Sequence, residues 1–378
     1  MIEPLRRGAR GAAVAEVRRK LSLLGLLPPV GDVEEVDASL FDDEVDRAVR
    51  TFQQQRGLSG DGVVGPQTYR ALDEARWRLG DRILRYEPGH LVGGDDVAAL
   101  QRRLLDMGFP VGRVDGLYGP VTDLALRDFQ RNVGLVADGT CGPATLAALS
   151  RLERTVRGGR ADALLADLTV AHRGPALAGK VVVIDPAHGG ADPGVAAHGL
   201  TEAAVVEDLA ARIEGRFVAT GVQAYLTRRP GDGPDQVARA AFANATDADL
   251  VISLHVDGST SPLPEGTATY YYGSAAGDTS RIGQRLAELL QREVVARTGL
   301  LDCRVHAKTY DLLRHTRMPA VRLEAGYLTS AKDAQRLADP AFRDLVADAV
   351  VVAVQRLYLA EQDDARTGAL RLDALVTG

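Results

Sequence analysis

The sequence predicts an α/β domain, a mostly parallel sheet flanked by helices, preceded by two small all-α three-helix repeats. Three observations carry this expectation. The segment 46–72 reappears at 123–149 with a constant offset of 77 residues. From residue 179 to 360 apolar strand-like runs alternate with amphipathic helical stretches, the pattern of a parallel sheet covered on both faces. Between the two lies 151–178, a linker with one short helical piece, "RADALLADL".

Each repeat is legible element by element. "DRAVRTFQQQRGLSGDGVVGPQTYRAL" aligns with "DLALRDFQRNVGLVADGTCGPATLAAL", and "VAEVRRKLSLLGL" aligns with "VAALQRRLLDMGF" at an offset of 83. The first copy (5–73) therefore holds six more residues than the second (90–150), around "PPVGDVEEVDASL". Val14, Val17, Leu21 and Leu24 fall at helical spacing, as do Val97, Leu100, Leu104 and Met107. Ala48, Val49 and Phe52 mark a second helix, matched by Ala125, Leu126 and Phe129. Asp61-Gly62 and Asp138-Gly139 supply turns, and Gly65-Pro66 and Gly142-Pro143 open a third helix with proline near its first position. Taken singly, these glycines and the Phe-Gln pairs are scaffold.

In the second half, strands are expected at 181–185, 222–227, 250–254, 267–272 and 320–324. Helices are expected at 202–219, 235–245, 279–298 and 340–360, with a tail at 361–378.

Composition narrows the function. A net charge of −6 argues against a protein that grips a phosphate backbone. Cys141 and Cys303 are too far apart for a metal knuckle and read as two free buried thiols. The opening "MIEPLRRGARGAAVAEVRRK" has no apolar h-region, and no window reaches transmembrane length. The expectation is a cytoplasmic protein, the alternative being a cell-wall or extracellular one delivered by another route.

Four residues then stand at corresponding places. His188 follows the first strand, His255 and Glu324 end two others, and Glu202 opens the helix after the first. Side chains at the carboxyl ends of strands in an open α/β sheet converge on one crevice. Two imidazoles and a carboxylate form a set that leaves zinc an open position, and a further carboxylate nearby can carry a proton. Each residue alone has a plainer role: a loop histidine, or an acid favoured at a helix N-terminus after the cap Thr201. His198, His306 and His315 read as solvated loop residues.

The pattern "FQ…GL…DG..G..T…AL", present twice and joined in the second copy by "DGLYG" (115–119), resembles the peptidoglycan-binding type 1 family. In the first copy "ASLFD" replaces that Asp-Gly turn. Residues 179–360 resemble the zinc-dependent N-acetylmuramoyl-L-alanine amidases of the amidase 3 type. The matching segments include "VVVIDPAHGGADPG", "GLTEAAVV", "ANATDADLVISLHVDG" and "LLRHTRMPAVRLEAGYLTS". The resemblance implies that His188, Glu202 and His255 bind Zn2+, that Glu324 is the catalytic acid/base, and that the substrate is peptidoglycan. Ala187, Ala203 and Ser330 depart from residues usual in that family.

The order of domains also resembles that of a group of actinobacterial regulators. That second likeness implies a cytoplasmic regulator of precursor synthesis, controlled by phosphorylation and acting on the enolpyruvyl transferase of that pathway. The tail, with Thr367 ahead of Leu370, Leu372 and Leu375, would be its docking segment.

Overall fold

The computed structural model describes residues 4–28, 39–152, 174, 176–274 and 278–359. The first-copy loop at 29–38, the helical piece expected in the linker, and the tail with Thr367 lie outside these residues. The chain forms two compact units, Met1–Leu165 with Ala275–Asp278, and Ala166–Ser274 with Thr279–Gly378.

The first unit holds the expected three helices per copy: α1 (Ala12–Leu23), α2 (Asp43–Gln55) and α3 (Pro66–Glu74), then α4 (Asp95–Asp106), α5 (Pro120–Asn132) and α6 (Pro143–Leu152). The periodic apolar positions are the buried ones. Val14, Val17, Leu21, Val49, Phe52 and Leu72 form one core, and Val97, Leu100, Leu104, Leu126, Phe129 and Leu149 another. Truncating either phenylalanine to alanine would remove about 3–5 kcal/mol. A β-bridge ties the approach to the third helix of each copy back to the segment before its first, Leu5 to Val64 and Leu84 to Cys141. The second copy adds a short antiparallel pair, β1 (Val92–Gly93) with β2 (Leu117–Tyr118), so it is not purely helical. Cys141 is buried in this core, which pushes its thiol up to about 12.

A recurring polar knot joins the helices. Gln130 of α5 donates to Asp138 Oδ1 (2.9 Å), Thr140 O (3.1 Å) and Thr145 Oγ1 (3.2 Å), and accepts from Gly139 N (2.9 Å). Gln53 of α2 repeats this with Asp61, Val63, Thr68 and Gly62. A third knot exists only in the second copy: Gln101 of α4 with Asp115, Leu117, Thr122 and Gly116. At the position corresponding to Gln101 the first copy has Arg18, which pairs instead with Asp42, the N-cap of α2. The Asp-Gly turns are therefore closure points of the fold as well as bends.

The second unit is built on a six-stranded sheet of order β6-β3-β7-β10-β8-β9. Its strands are β3 (Val181–Pro186), β6 (Gln223–Leu226), β7 (Leu250–Asp257), β8 (Thr267–Tyr272), β9 (Asp302–Lys308) and β10 (Ala320–Tyr327). β6, β3, β7 and β10 run parallel, β8 is antiparallel to β10, and β9 is parallel to β8. A small hairpin, β4 (Ala196–Ala197) and β5 (Leu200–Thr201), leads into α7 (Glu202–Ala219). The remaining helices are α8 (Gln236–Ala245), α9 (Arg281–Thr298), α10 (Asp311–His315), α11 (Ala331–Ala338) and α12 (Pro340–Tyr358). No helix among the described residues is long and apolar enough to cross a membrane.

Alternation along the strands gives each face its own cover. Val182, Ile184, Leu250, Ile252, Leu254, Val321 and Leu323 pack with α7, α9 and α12. Val183, Val251, Tyr272 and Ala320 pack with α8 and α10. On this second face the residues further along each strand are polar. Asp185, Ser253, Arg322 and Tyr270 form a row across four strands, and His255 with Glu324 stand one pleat beyond.

Four details differ from expectation. β9 is a strand where a loop was expected, because its polar and exposed sequence, DCRVHAK, pairs only at the sheet edge. His306 consequently lies in β9, and His315 ends α10. Cys303, also in β9, is half-buried and not part of a core. The strands continue for two residues past His255 and three past Glu324, so both side chains lie within the sheet.

Candidate functional site

Glu202 is placed by a capped helix start. Thr201 Oγ1 accepts from Ala204 N (3.3 Å), which fixes Glu202 as the first residue of α7 and turns it into the crevice. Its carboxylate is almost fully buried, at 2% exposure. Oε1 accepts from Val256 N (3.2 Å) and faces His255 Nδ1 (2.9 Å). Oε2 accepts from Val195 N (3.1 Å) and faces His188 Nε2 (3.2 Å). Burial alone would raise the carboxyl, but the hydrogen bonds from His188 and His255 outweigh it and hold Glu202 well below the usual carboxylate range.

His188 sits in the loop after β3 with φ of 56°, the left-handed region that β-carbon-bearing residues avoid. Arg239 of α8 holds that loop. Its guanidinium donates to His188 O (2.6 Å) and Pro186 O (2.6 Å) and pairs with Asp185 Oδ1 (2.8 Å). Gly194 makes the approach possible: a Cβ there would lie 2.6 Å from Glu202 Oε2 and 2.8 Å from His188 Cδ2. Asp192 Oδ2 accepts from His188 Nδ1 (2.7 Å), which leaves Nε2 as the nitrogen facing Glu202. The hydrogen bond to Glu202 raises the His188 pKa above its ordinary value, and Asp192 adds to that.

His255 projects from β7 directly beside Glu324 of β10, its cross-strand partner. Burial pushes this imidazole down to about 4, so it is neutral at physiological pH, as a ligand must be. His188, Glu202 and His255 each present one ligand atom, all within 4.8 Å of one another. This donor set of two imidazoles and one carboxylate, with a carboxylate already anchoring one of the rings, fits Zn2+.

Glu324 is buried, at 3% exposure. Burial pushes its carboxyl up to about 7, against the pull of the adjacent Arg322 guanidinium. Arg322 Nε donates to Oε1 (2.7 Å), while Oε2 is buried with no hydrogen-bond partner. A carboxyl poised near neutrality can both take and give a proton.

The structure thus brings together the four residues expected from sequence, and His198 and His315 are not among the groups that converge there. Asp192, Arg239 and Arg322 were missed. Asp192 and Arg322 lie within segments read from sequence, four residues after His188 and two before Glu324, but nothing in type or spacing marked them. The Ala187 departure is a buried loop residue, and Ser330 caps α11 by accepting from Asp333 N (3.4 Å).

The model of the N-acetylmuramoyl-L-alanine amidase family matches residues 182–356, and that of a putative peptidoglycan-binding domain matches 10–72 and 93–149. The N-acetylmuramoyl-L-alanine amidase CwlM of Mycobacterium tuberculosis is 47% identical over 97% of this chain and 92% of its own. The amidase LytC of Bacillus subtilis is 31% identical over 46% of this chain and 34% of its own. The solved catalytic domain of CwlV, an N-acetylmuramoyl-L-alanine amidase from Bacillus (Paenibacillus) polymyxa var. colistinus, aligns at 28% identity and a TM-score of 0.44, over 47% of this chain and 97% of that one.

Proposed function

The chain belongs to the N-acetylmuramoyl-L-alanine amidase family, with peptidoglycan-binding domains ahead of the catalytic one, and from that premise we propose a zinc-dependent wall hydrolase. It would cleave the amide between the lactyl group of N-acetylmuramic acid and the L-alanine of the stem peptide. In this reading 179–360 is the catalytic domain, and 5–73 and 90–150 hold the glycan polymer. His188, Glu202 and His255 hold the zinc. When bound there, zinc supplies a Lewis acid for the scissile carbonyl and a more acidic water.

The protein's own groups do the rest. Asp192 sets the tautomer of His188, and Glu202 stays ionised at working pH. Glu324 takes a proton from the attacking water and returns it to the leaving alanine nitrogen. The observation that carries this reading is the pairing of the three-ligand cluster with a buried acid near neutrality whose Oε2 has no hydrogen-bond partner. Its test is release of new alanine amino termini from purified peptidoglycan by the zinc-supplemented chain, with Glu324→Gln as control. Absence of new termini from the unaltered protein would refute it.

The second repeat should be the better glycan binder, since it keeps the Asp115-Gly116 turn and the third knot. Pull-down of residues 5–73 on peptidoglycan equal to or stronger than that of 90–150 would contradict this. The regulatory alternative, with Thr367 phosphorylated and the enolpyruvyl transferase as partner, rests on domain order and on a tail outside the described residues.

A further inference from the structure

Arg228 lies just after β6, and its side chain is buried. Its guanidinium reaches two stretches that are distant along the chain. Nε donates to Pro186 O (2.9 Å), and Nη2 donates to Ala187 O (3.4 Å) and to Ala203 O (3.2 Å). Nη1 pairs with Glu207 Oε2 (2.6 Å). Pro186 and Ala187 lead into His188, Ala203 directly follows Glu202, and Glu207 stands one turn beyond Ala203 on α7. One group therefore joins the two stretches that carry two of the expected zinc ligands. Arg239 also holds Pro186 O, and it holds His188 O, but its other partners are Asp185 and Pro234 O, so it reaches the histidine stretch and not α7. Gly189 clears the path for Arg228: a Cβ there would lie 2.8 Å from its Nε and 2.9 Å from its Cδ.

We propose that Arg228 is a positioning residue for the metal centre: it sets the separation of His188 from Glu202 by holding the backbone beside each. This rests on the zinc reading for what fills the centre, though not for the coupling of the two stretches. The acceptors explain why the residue is arginine. Three carbonyls and a carboxylate lie around the group in different directions, and a guanidinium offers five N–H donors in a rigid fork. A lysine would bring its charge on one nitrogen with three donors, and could not span residues 186, 187, 203 and 207 together. Glu207 completes the arrangement from a partly exposed position, fixing the end of the guanidinium that faces α7. With the bridge broken, Pro186 O keeps Arg239, while Ala187 O and Ala203 O lose the donor they share. The loop bearing His188 is then no longer tied through a side chain to the start of α7, and outer contacts of this kind govern how well a ligand pair is presented to an ion.

The test uses the full-length chain. Zinc affinity is measured by competition with a chromophoric chelator, and the metal-free protein is followed by thermal melting and amide hydrogen exchange. R228Q should weaken zinc binding roughly tenfold or more. In the metal-free protein the Val195 amide, which donates to Glu202 Oε2, should exchange about tenfold faster, the effect of losing one charged hydrogen bond nearby. R228K should resemble R228Q, because the bridge is lost although the charge is kept. E207Q, changed at a partly exposed site, should weaken zinc binding about threefold, since a neutral acceptor retains part of the Nη1 contact. The double variant R228Q/E207Q should bind no worse than R228Q alone. Melting of the metal-free proteins identifies any variant that has lost its fold, and E207Q carries the test if R228Q has. Zinc affinity unchanged in R228Q, or in E207Q where R228Q does not fold, overturns the proposal, as does an R228K protein that binds like the unaltered chain. If the unaltered chain takes up no zinc, the metal reading fails while Val195 exchange still decides the coupling.

Discussion

Buried polar groups are treated in opposite ways in the two halves of this molecule. In the helical half, Gln53, Gln101 and Gln130 are nearly inaccessible, and each amide is answered by a turn aspartate, a backbone carbonyl, a threonine hydroxyl and a glycine N–H. In the α/β crevice, Glu324 Oε2 is buried and unanswered, and His255 is buried deeply enough to be stripped of charge. Polarity that serves only the fold saturates its own hydrogen bonds, because an unmet buried group is costly. Polarity that serves chemistry keeps a bonding position open. The first repeat sits between these cases: Arg18 replaces a saturated glutamine, and its Nε has no hydrogen-bond partner.

If this division is right, changes in the crevice should damage activity while sparing stability, and changes in the knots should do the reverse. The largest effect is expected for Glu324→Gln, which keeps an acceptor for Arg322 but cannot carry a proton. Hydrolysis should fall by about two orders of magnitude or more, with zinc content and melting temperature nearly unchanged. A stability loss as large as the activity loss would break the distinction. Next, Asp192→Ala should weaken zinc binding about 10- to 100-fold by releasing the His188 tautomer, read by competition with a chromophoric chelator.

Zinc affinity of the unaltered chain should also fall with pH. Because Glu202 raises the His188 pKa, the protonated ring is favoured as pH drops through that raised value, and zinc must displace the proton. Below it, one competing proton weakens binding about tenfold per pH unit. Affinity independent of pH would remove His188 from the ligand set.

Smaller effects sharpen the comparison between repeats. Gln130→Ala leaves the buried Gly139 N–H without its acceptor and removes the amide that ties Asp138, Thr140 and Thr145 together, and should destabilise the helical half by about 2–3 kcal/mol. Trp77 is the single tryptophan of the chain and lies in that half, so its fluorescence reports the transition. Arg18→Ala should cost only about 1 kcal/mol, since Asp42 still caps α2 through Glu44 N and Val45 N. Equal losses in the two variants would mean that the first repeat has kept a closure as strong as the knot.

Much of this was legible in sequence because it rests on periodicity and punctuation. The repeat offset, the prolines opening α3 and α6, and Thr201 before Glu202 mark element starts whose chemistry is local. The residues that converge on the crevice were found because they stand at strand ends of an alternating pattern. What escaped depends on long-range geometry. β9 has the polarity of a loop and becomes a strand only because β8 offers it an edge. Arg239 lies 51 residues after His188, and nothing near it in sequence indicates that it binds that carbonyl. The roles of the glutamines were hidden for the same reason: Gln53 and Gln130 read as the polar half of a Phe-Gln pair until their turn partners were in place.

The grip of Arg239 on the carbonyl of His188 bears on how the centre would fill and empty. The loop is held by a salt-bridged arginine anchored at Asp185. A chelator should therefore strip the ion without unfolding the domain. Recovery on adding zinc back should proceed at the pace of diffusion and ligand deprotonation, with no slow refolding phase. Such a centre would behave as a rapidly exchanging socket, its occupancy following the free zinc around it from moment to moment.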